Sequence, residues 1–175
     1  MKQLCTFLLI LFACCTAAHA QSTTVMLINP QVSNNQLTFD VYAKNTGSTT
    51  IYMTDCTFYI KFNDSKFTSP SISFTASLPS ANYSTAINNY ATTPKTFGID
   101  ILFNGTPSAT NTVQMSSSGN GTLIGTVTLS GITTFTGTAN LAWGTTPYNT
   151  YVSRWDPQLG GVTVPVTLGT PPVVY

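Results

Sequence analysis

The chain has one histidine, His19, and no glutamate among its 175 residues. His19 sits in an N-terminal segment that reads as a leader, so the rest of the chain has no imidazole to carry a proton. That excludes Ser-His-Asp and Cys-His arrangements. Paired-carboxylate hydrolysis would have to draw on Asp40, Asp55, Asp64, Asp100 and Asp156. No two of these are spaced as a catalytic pair, and Asp40, Asp55 and Asp100 fall within strand patterns. The chain therefore reads as non-enzymatic. Cysteine is scarce as well: Cys5, Cys14 and Cys15 lie in the leader, leaving Cys56 alone and no intramolecular disulfide. Without Cys/His clusters or grouped carboxylates, no metal site and no cofactor are expected, and Asn63-Asp64-Ser65 reads as a polar turn. Charge is sparse and balanced, with Lys44, Lys61, Lys66, Lys95 and Arg154 against the five aspartates beyond the leader. There is no basic stripe for nucleic acid and no field to steer a charged partner.

Residues 1–20 follow a signal-peptide pattern: Lys2, an apolar stretch from Leu4 to Phe12, and the small-residue end Ala18-His19-Ala20. Cleavage before Gln21 and export from the cell are expected, with or without association with the cell surface. The apolar stretch is shorter than the roughly 20 residues a bilayer span needs, so no stable membrane insertion is expected. Leu11-Phe12-Ala13-Cys14 offers a second reading, acylation at Cys14. The Asn-x-Ser/Thr triplets at Asn63, Asn82, Asn104 and Asn120 would be glycosylated only in a eukaryotic secretory pathway and otherwise read as turn residues.

What is present is a strand period, repeated. Leu37, Phe39, Val41 and Ala43 alternate with Thr38, Asp40, Tyr42 and Lys44, and Cys56, Phe58, Ile60 and Phe62 alternate with Thr57, Tyr59 and Lys61. Ile72, Phe74 and Ala76 form a further apolar face, as do Phe97, Ile99, Ile101 and Phe103. So do Leu123, Val127 and Leu129, then Ala139, Leu141 and Trp143, and finally Val162, Val164, Val166 and Leu168. Val25 to Ile28, a continuous apolar run, reads as a strand buried on both sides. Turn signals separate the strands: Ser33-Asn34-Asn35, Asn45-Thr46-Gly47-Ser48, Asn104-Gly105 and Ser118-Gly119-Asn120-Gly121. Cys56 and Trp143 point inward on this pattern. Pro165 marks the last strand as an edge, because proline cannot donate to a ladder. Pro79 to Pro94, polar and aromatic without clear alternation, reads as a long loop. Helical spacing is absent. The expected fold is all-β, an antiparallel β-sandwich over residues 21–169, with 170–175 a Pro-containing tail or linker start.

Residues 37–53 (LTFDVYAKNTGSTTIYM), 58–63 (FYIKFN), 141–143 (LAW) and 150–153 (TYVS) resemble the cohesin-like domain of secreted proteins from Bacteroidetes. The resemblance covers about Val25 to Leu168. It implies a jelly-roll-like sandwich of the kind shared by cohesins and several carbohydrate-binding modules, and a partner that is a polysaccharide or a protein module. Fold alone does not choose between these.

The candidate ligand-binding residues are Tyr148, Tyr151, Arg154, Trp155 and Asp156, in a stretch interrupted by Pro147, Asn149 and Pro157. Aromatic rings can stack on the C–H faces of sugars while neighbouring polar groups bond hydroxyls. The competing reading is that the tyrosines and the tryptophan simply cover the sandwich edge. The function expected is a secreted, non-catalytic recognition module. The alternative is a structural or adhesive surface subunit acting through sheet faces or edges.

Overall fold

A computed structural model describes residues 21–33, 35–63, 67–90, 95–132, 140–156 and 160–172. The leader, Asp64, Lys66, Ala139 and Pro157 lie outside the described residues, and so do the expectations attached to them.

The described residues form twelve strands and no helix: β1 Thr23–Ser33, β2 Gln36–Asn45, β3 Tyr52–Phe62, β4 Phe67–Ala76, β5 Tyr83–Tyr90, β6 Lys95–Phe103, β7 Val113–Gln114, β8 Thr122–Ile132, β9 Ala142–Trp143, β10 Tyr151–Asp156, β11 Gly160–Val164 and β12 Val166–Leu168. They form two sheets. The smaller has the order β12-β1-β2-β8-β4, and the larger β11-β10-β3-β6-β5, with β7 and β9 also pairing β3. Pairing is antiparallel throughout except between β1 and β12. The expected all-β sandwich is what the chain adopts.

Period-two alternation makes the core. Leu37, Phe39, Val41 and Ala43 of β2 face Cys56, Phe58, Ile60 and Phe62 of β3 and Phe97, Ile99 and Ile101 of β6, all fully or almost fully buried. Burying each Val, Leu, Ile or Phe of this double layer contributes roughly 1.5–3 kcal/mol, and the sheets are held together by this burial with Cys56 a free thiol. Trp143 is buried, and its indole Nε1 donates to the carbonyl of Gly169 at 2.6 Å.

Four expectations are corrected. Residues 83–90 of the supposed loop form β5, paired with β6 without a break. As an edge strand that is exposed on much of both faces, β5 needs few apolar residues, and so shows little alternation. Val25 and Leu27 are buried whereas Met26 and Ile28 are only half-buried, so β1 covers the core on one face rather than being buried on both. In β8 the inward residue is Ile124, not Leu123, because a bulge opposite Val41 and Tyr42 shifts the alternation. The last apolar face is broken at Pro165: β11 pairs β10 in the larger sheet and β12 pairs β1 in the smaller. Both are edges, as Pro165 suggested, but the residues do not share one face.

Candidate functional site

The outer face of the larger sheet carries the groups that alternate away from the core. From β10 to β5, Tyr151 stands opposite Thr57, Thr57 opposite Asp100, and Asp100 opposite Ala86. In the next row Tyr59 stands opposite Gly98 and Gly98 opposite Asn88. Beyond that come Lys61, Thr96 and Tyr90.

Gly98 leaves a gap in this surface, and two rings close over it. A Cβ at position 98 would lie 3.1 Å from Tyr59 Cε1 and 3.3 Å from Tyr90 Cε2. A third ring comes from the β9–β10 connection. β9 pairs β3 at Ile60 and Lys61, β10 pairs it at Cys56 and Thr57, and between them the chain leaves the sheet beside Tyr59. Its two ends are tied to that residue: the Gly144 amide donates to the Tyr59 carbonyl at 2.7 Å, and the Tyr59 amide donates to Thr150 Oγ1 at 3.1 Å. Gly144 is required there, because a Cβ would lie 2.4 Å from the Tyr148 carbonyl oxygen. A turn closed by the Tyr148 amide on the Thr145 carbonyl, with a cis Thr146–Pro147 peptide, carries Tyr148 out over the sheet. Its ring centroid lies 4.5 Å from that of Tyr90 and 5.6 Å from that of Tyr59, and Tyr59 and Tyr90 are 5.8 Å apart.

The rings are mutually tilted by 45–49°. The Tyr59 hydroxyl is pushed up to about 12, chiefly by desolvation, then by its hydrogen bond with Tyr90, with Tyr90, Asp100 and Tyr151 adding to it. It is a neutral phenol at any physiological pH. Asp100 accepts from Thr57 Oγ1 at 2.7 Å and from the side-chain amide of Asn88, so both carboxylate oxygens are engaged. Lys61 Nζ donates to Thr145 Oγ1 at 2.7 Å. Around this polar frame Leu102 is 49% exposed and Tyr151 36%.

The five residues singled out from the sequence separate. Tyr151 and Trp155 alternate onto the outer face, and Tyr148 joins them from the connection. Arg154 and Asp156 alternate with Val152 to the other side, where Arg154 Nη1 pairs with Asp156 Oδ2 at 2.7 Å and also donates to the Trp155 carbonyl. That pair is largely covered and braces the end of β10, while Arg154 Nε is buried without a hydrogen-bond partner. Trp155 is half-buried, its ring edge-on to Tyr52 at 6.3 Å and 71°. Tyr59 and Tyr90 were missed: the first showed only as a non-core position of β3, the second fell in the supposed loop.

Among the described residues no group of three His, Cys, Asp or Glu is placed to hold a metal ion, and no helix is long and apolar enough to cross a membrane. Two polar clefts lie off this face. One of about 460 Å³ includes Asn45, Ser48, Thr50, Gln114 and Ser116; another of about 330 Å³ includes Asn29, Gln31, Thr38, Asp40 and Thr126.

No family model matches the chain, and no curated protein matches it. Among solved structures it is similar to the seventh ScaB type I cohesin from Pseudobacteroides cellulosolvens, at 13% identity and a TM-score of 0.53, over 86% of this chain and 88% of that one. It is also matched to the cohesin module of a family 33 glycoside hydrolase from Clostridium perfringens, at 12% identity and a TM-score of 0.40, over 86% of this chain and 99% of that one. The fold is a cohesin-like β-sandwich.

Proposed function

We propose that this chain is a secreted, non-catalytic recognition module that binds a protein module outside the cell through the outer face of its larger sheet. The observation that carries this reading is the cluster of Tyr59, Tyr90 and Tyr148 over Gly98, with the exposed apolar Leu102 and Tyr151 on the same face. Tyrosines offer large contact area with a polar tip and few rotatable bonds, and they are enriched in the centres of protein interfaces. Asp100 and Lys61 bring polar groups to the same surface. The likeness in fold to a cohesin points the same way, and the lack of histidine and glutamate in the described chain favours binding over catalysis.

A polysaccharide is the second reading, and the tilt of the rings argues against it: stacking on a flat glycan surface calls for coplanar rings, whereas these are inclined by 45–49°. The experiment is affinity capture from the native host's extracellular and surface fractions, run beside a glycan array, with the parent chain and with Leu102→Lys and Tyr148→Ala variants. A protein retained by the parent and lost by both variants supports the reading. Glycan retention without a protein partner turns it to the polysaccharide.

A further inference from the structure

A sheet edge presents unpaired N–H and C=O groups and is a template for another strand, so folded proteins shorten, bend, charge or interrupt their edges. Among the described residues four strands end the two sheet orders, β12 and β4 in the smaller sheet and β11 and β5 in the larger, besides the two-residue strands β7 and β9 beside β3. Three are blunted. β12 has three residues. β4 contains Pro70, and its register with β8 breaks between Phe67 and Ser71. β11 has five residues, begins Gly160-Gly161 and runs into Pro165. β5 has no such device. Its eight residues pair with β6 in unbroken register from Tyr83 opposite Phe103 to Tyr90 opposite Thr96, with no proline and no charge.

We propose that β5 is the edge along which two copies of this chain pair, antiparallel, about a two-fold axis at Ile87. Two features of β5 fit a second copy. The strand is uncharged along its whole length, so two identical edges approach without like-charge repulsion. It also overhangs the sandwich: Thr85, Ile87 and Asn89 lie on the core-facing side, yet Thr85 and Asn89 are exposed and Ile87 is only half-buried. Directly opposed residues of an antiparallel pair share a face. An axis at Ile87 therefore sets the two Ile87 side chains against each other, covering apolar surface that one sandwich leaves open, and places Thr85 of each copy opposite Asn89 of the other. A single strand pairing buries less than the about 800 Å² per partner of a standard stable interface. The dimer is thus weak, forming at high concentration or where copies are crowded on a surface. β5 also contributes Tyr90 to the tyrosine face, but the pairing uses its open edge and its core-facing residues, so the inference does not depend on the recognition reading.

Sedimentation velocity of the chain from Gln21 onward, across a concentration series, should show a mass rising toward twice the monomer. Thr85→Lys with Asn89→Lys sets lysines against lysines at both ends of the pairing and should abolish the dimer. Thr85→Lys with Asn89→Asp sets opposite charges together and should tighten it about tenfold. Both positions are exposed, so the two double variants should melt with the parent. A monomer at every concentration, or a dimer indifferent to both double variants, overturns the proposal.

Discussion

The hydroxyl of Tyr83 on β5 donates to the backbone carbonyl of Met53 on β3 at 2.7 Å, reaching past the intervening strand β6. The same oxygen accepts from the amide of Val113 at 2.9 Å, so one buried side chain ties three strands at one end of the larger sheet. Tyr83→Phe leaves a buried carbonyl and a half-buried amide without this partner, and should cost about 1–3 kcal/mol. Urea unfolding of parent and variant measures it; an unchanged midpoint would sink the assignment.

Trp155→Ala separates a surface ring from a core one. Half-buried and edge-on to Tyr52, Trp155 should cost about 1–2 kcal/mol on truncation, well short of the roughly 3–5 kcal/mol of a core tryptophan. Thermal unfolding distinguishes the two ranges.

Gly98→Val brings side-chain carbons against the rings of Tyr59 and Tyr90, which must then move. Tyrosine fluorescence and near-ultraviolet circular dichroism should change while far-ultraviolet signal is kept, and partner binding should fall at least tenfold. Retained binding would show that the tyrosine cluster is not the recognition surface.

How much of this was legible in the sequence depended on whether the information was local. Alternation along β2, β3 and β6 placed Leu37, Phe39, Phe58, Ile60, Phe97 and Ile99 in the core correctly, because a strand buried on one face writes its period into the chain. The candidate site was read from chain proximity, and there the same period argues against the grouping: it sends Arg154 and Asp156 away from Tyr151 and Trp155. The meeting of Tyr59, Tyr90 and Tyr148 rests on the register that aligns β3, β6 and β5, which no single stretch encodes. β5 itself was hidden because an exposed edge strand needs little apolar surface.

Alkaline pH should weaken the fold. Burial raises the Cys56 thiol, with Asp55 and Asp100 adding to it; desolvation raises Tyr83 against the opposing Val113 amide, and Tyr59 is raised to about 12. Each folded pKa lies above its unfolded value, so these contributions are intact below about pH 8.5, where an unfolded thiol begins to ionise, and are lost as pH rises through the range of free cysteine and tyrosine. Urea midpoints should be level from pH 6 to about 8 and fall by pH 10 to 11. In the same buffers at neutral pH, Cys56 should stay unreactive toward a thiol reagent until the chain unfolds. A midpoint that does not fall, or rapid labelling of the native chain, would contradict this.

The crossing at Pro165 sets how the domain bears a load. Because β12 runs parallel to β1, with Thr23 beside Val166, Thr24 beside Thr167 and Val25 beside Leu168, tension between the chain before β1 and the chain after β12 pulls these strands lengthwise past each other. Their cross-links then share the force in shear and must yield together, rather than opening one at a time like a zipper. The amide of Thr23 on the Pro165 carbonyl and that of Gly169 on the Val25 carbonyl extend the seam at both ends, and the Trp143 indole holds Gly169 from the side. A short strand that looks dispensable thus serves as a mechanical clasp joining the first strand of the sandwich to the last.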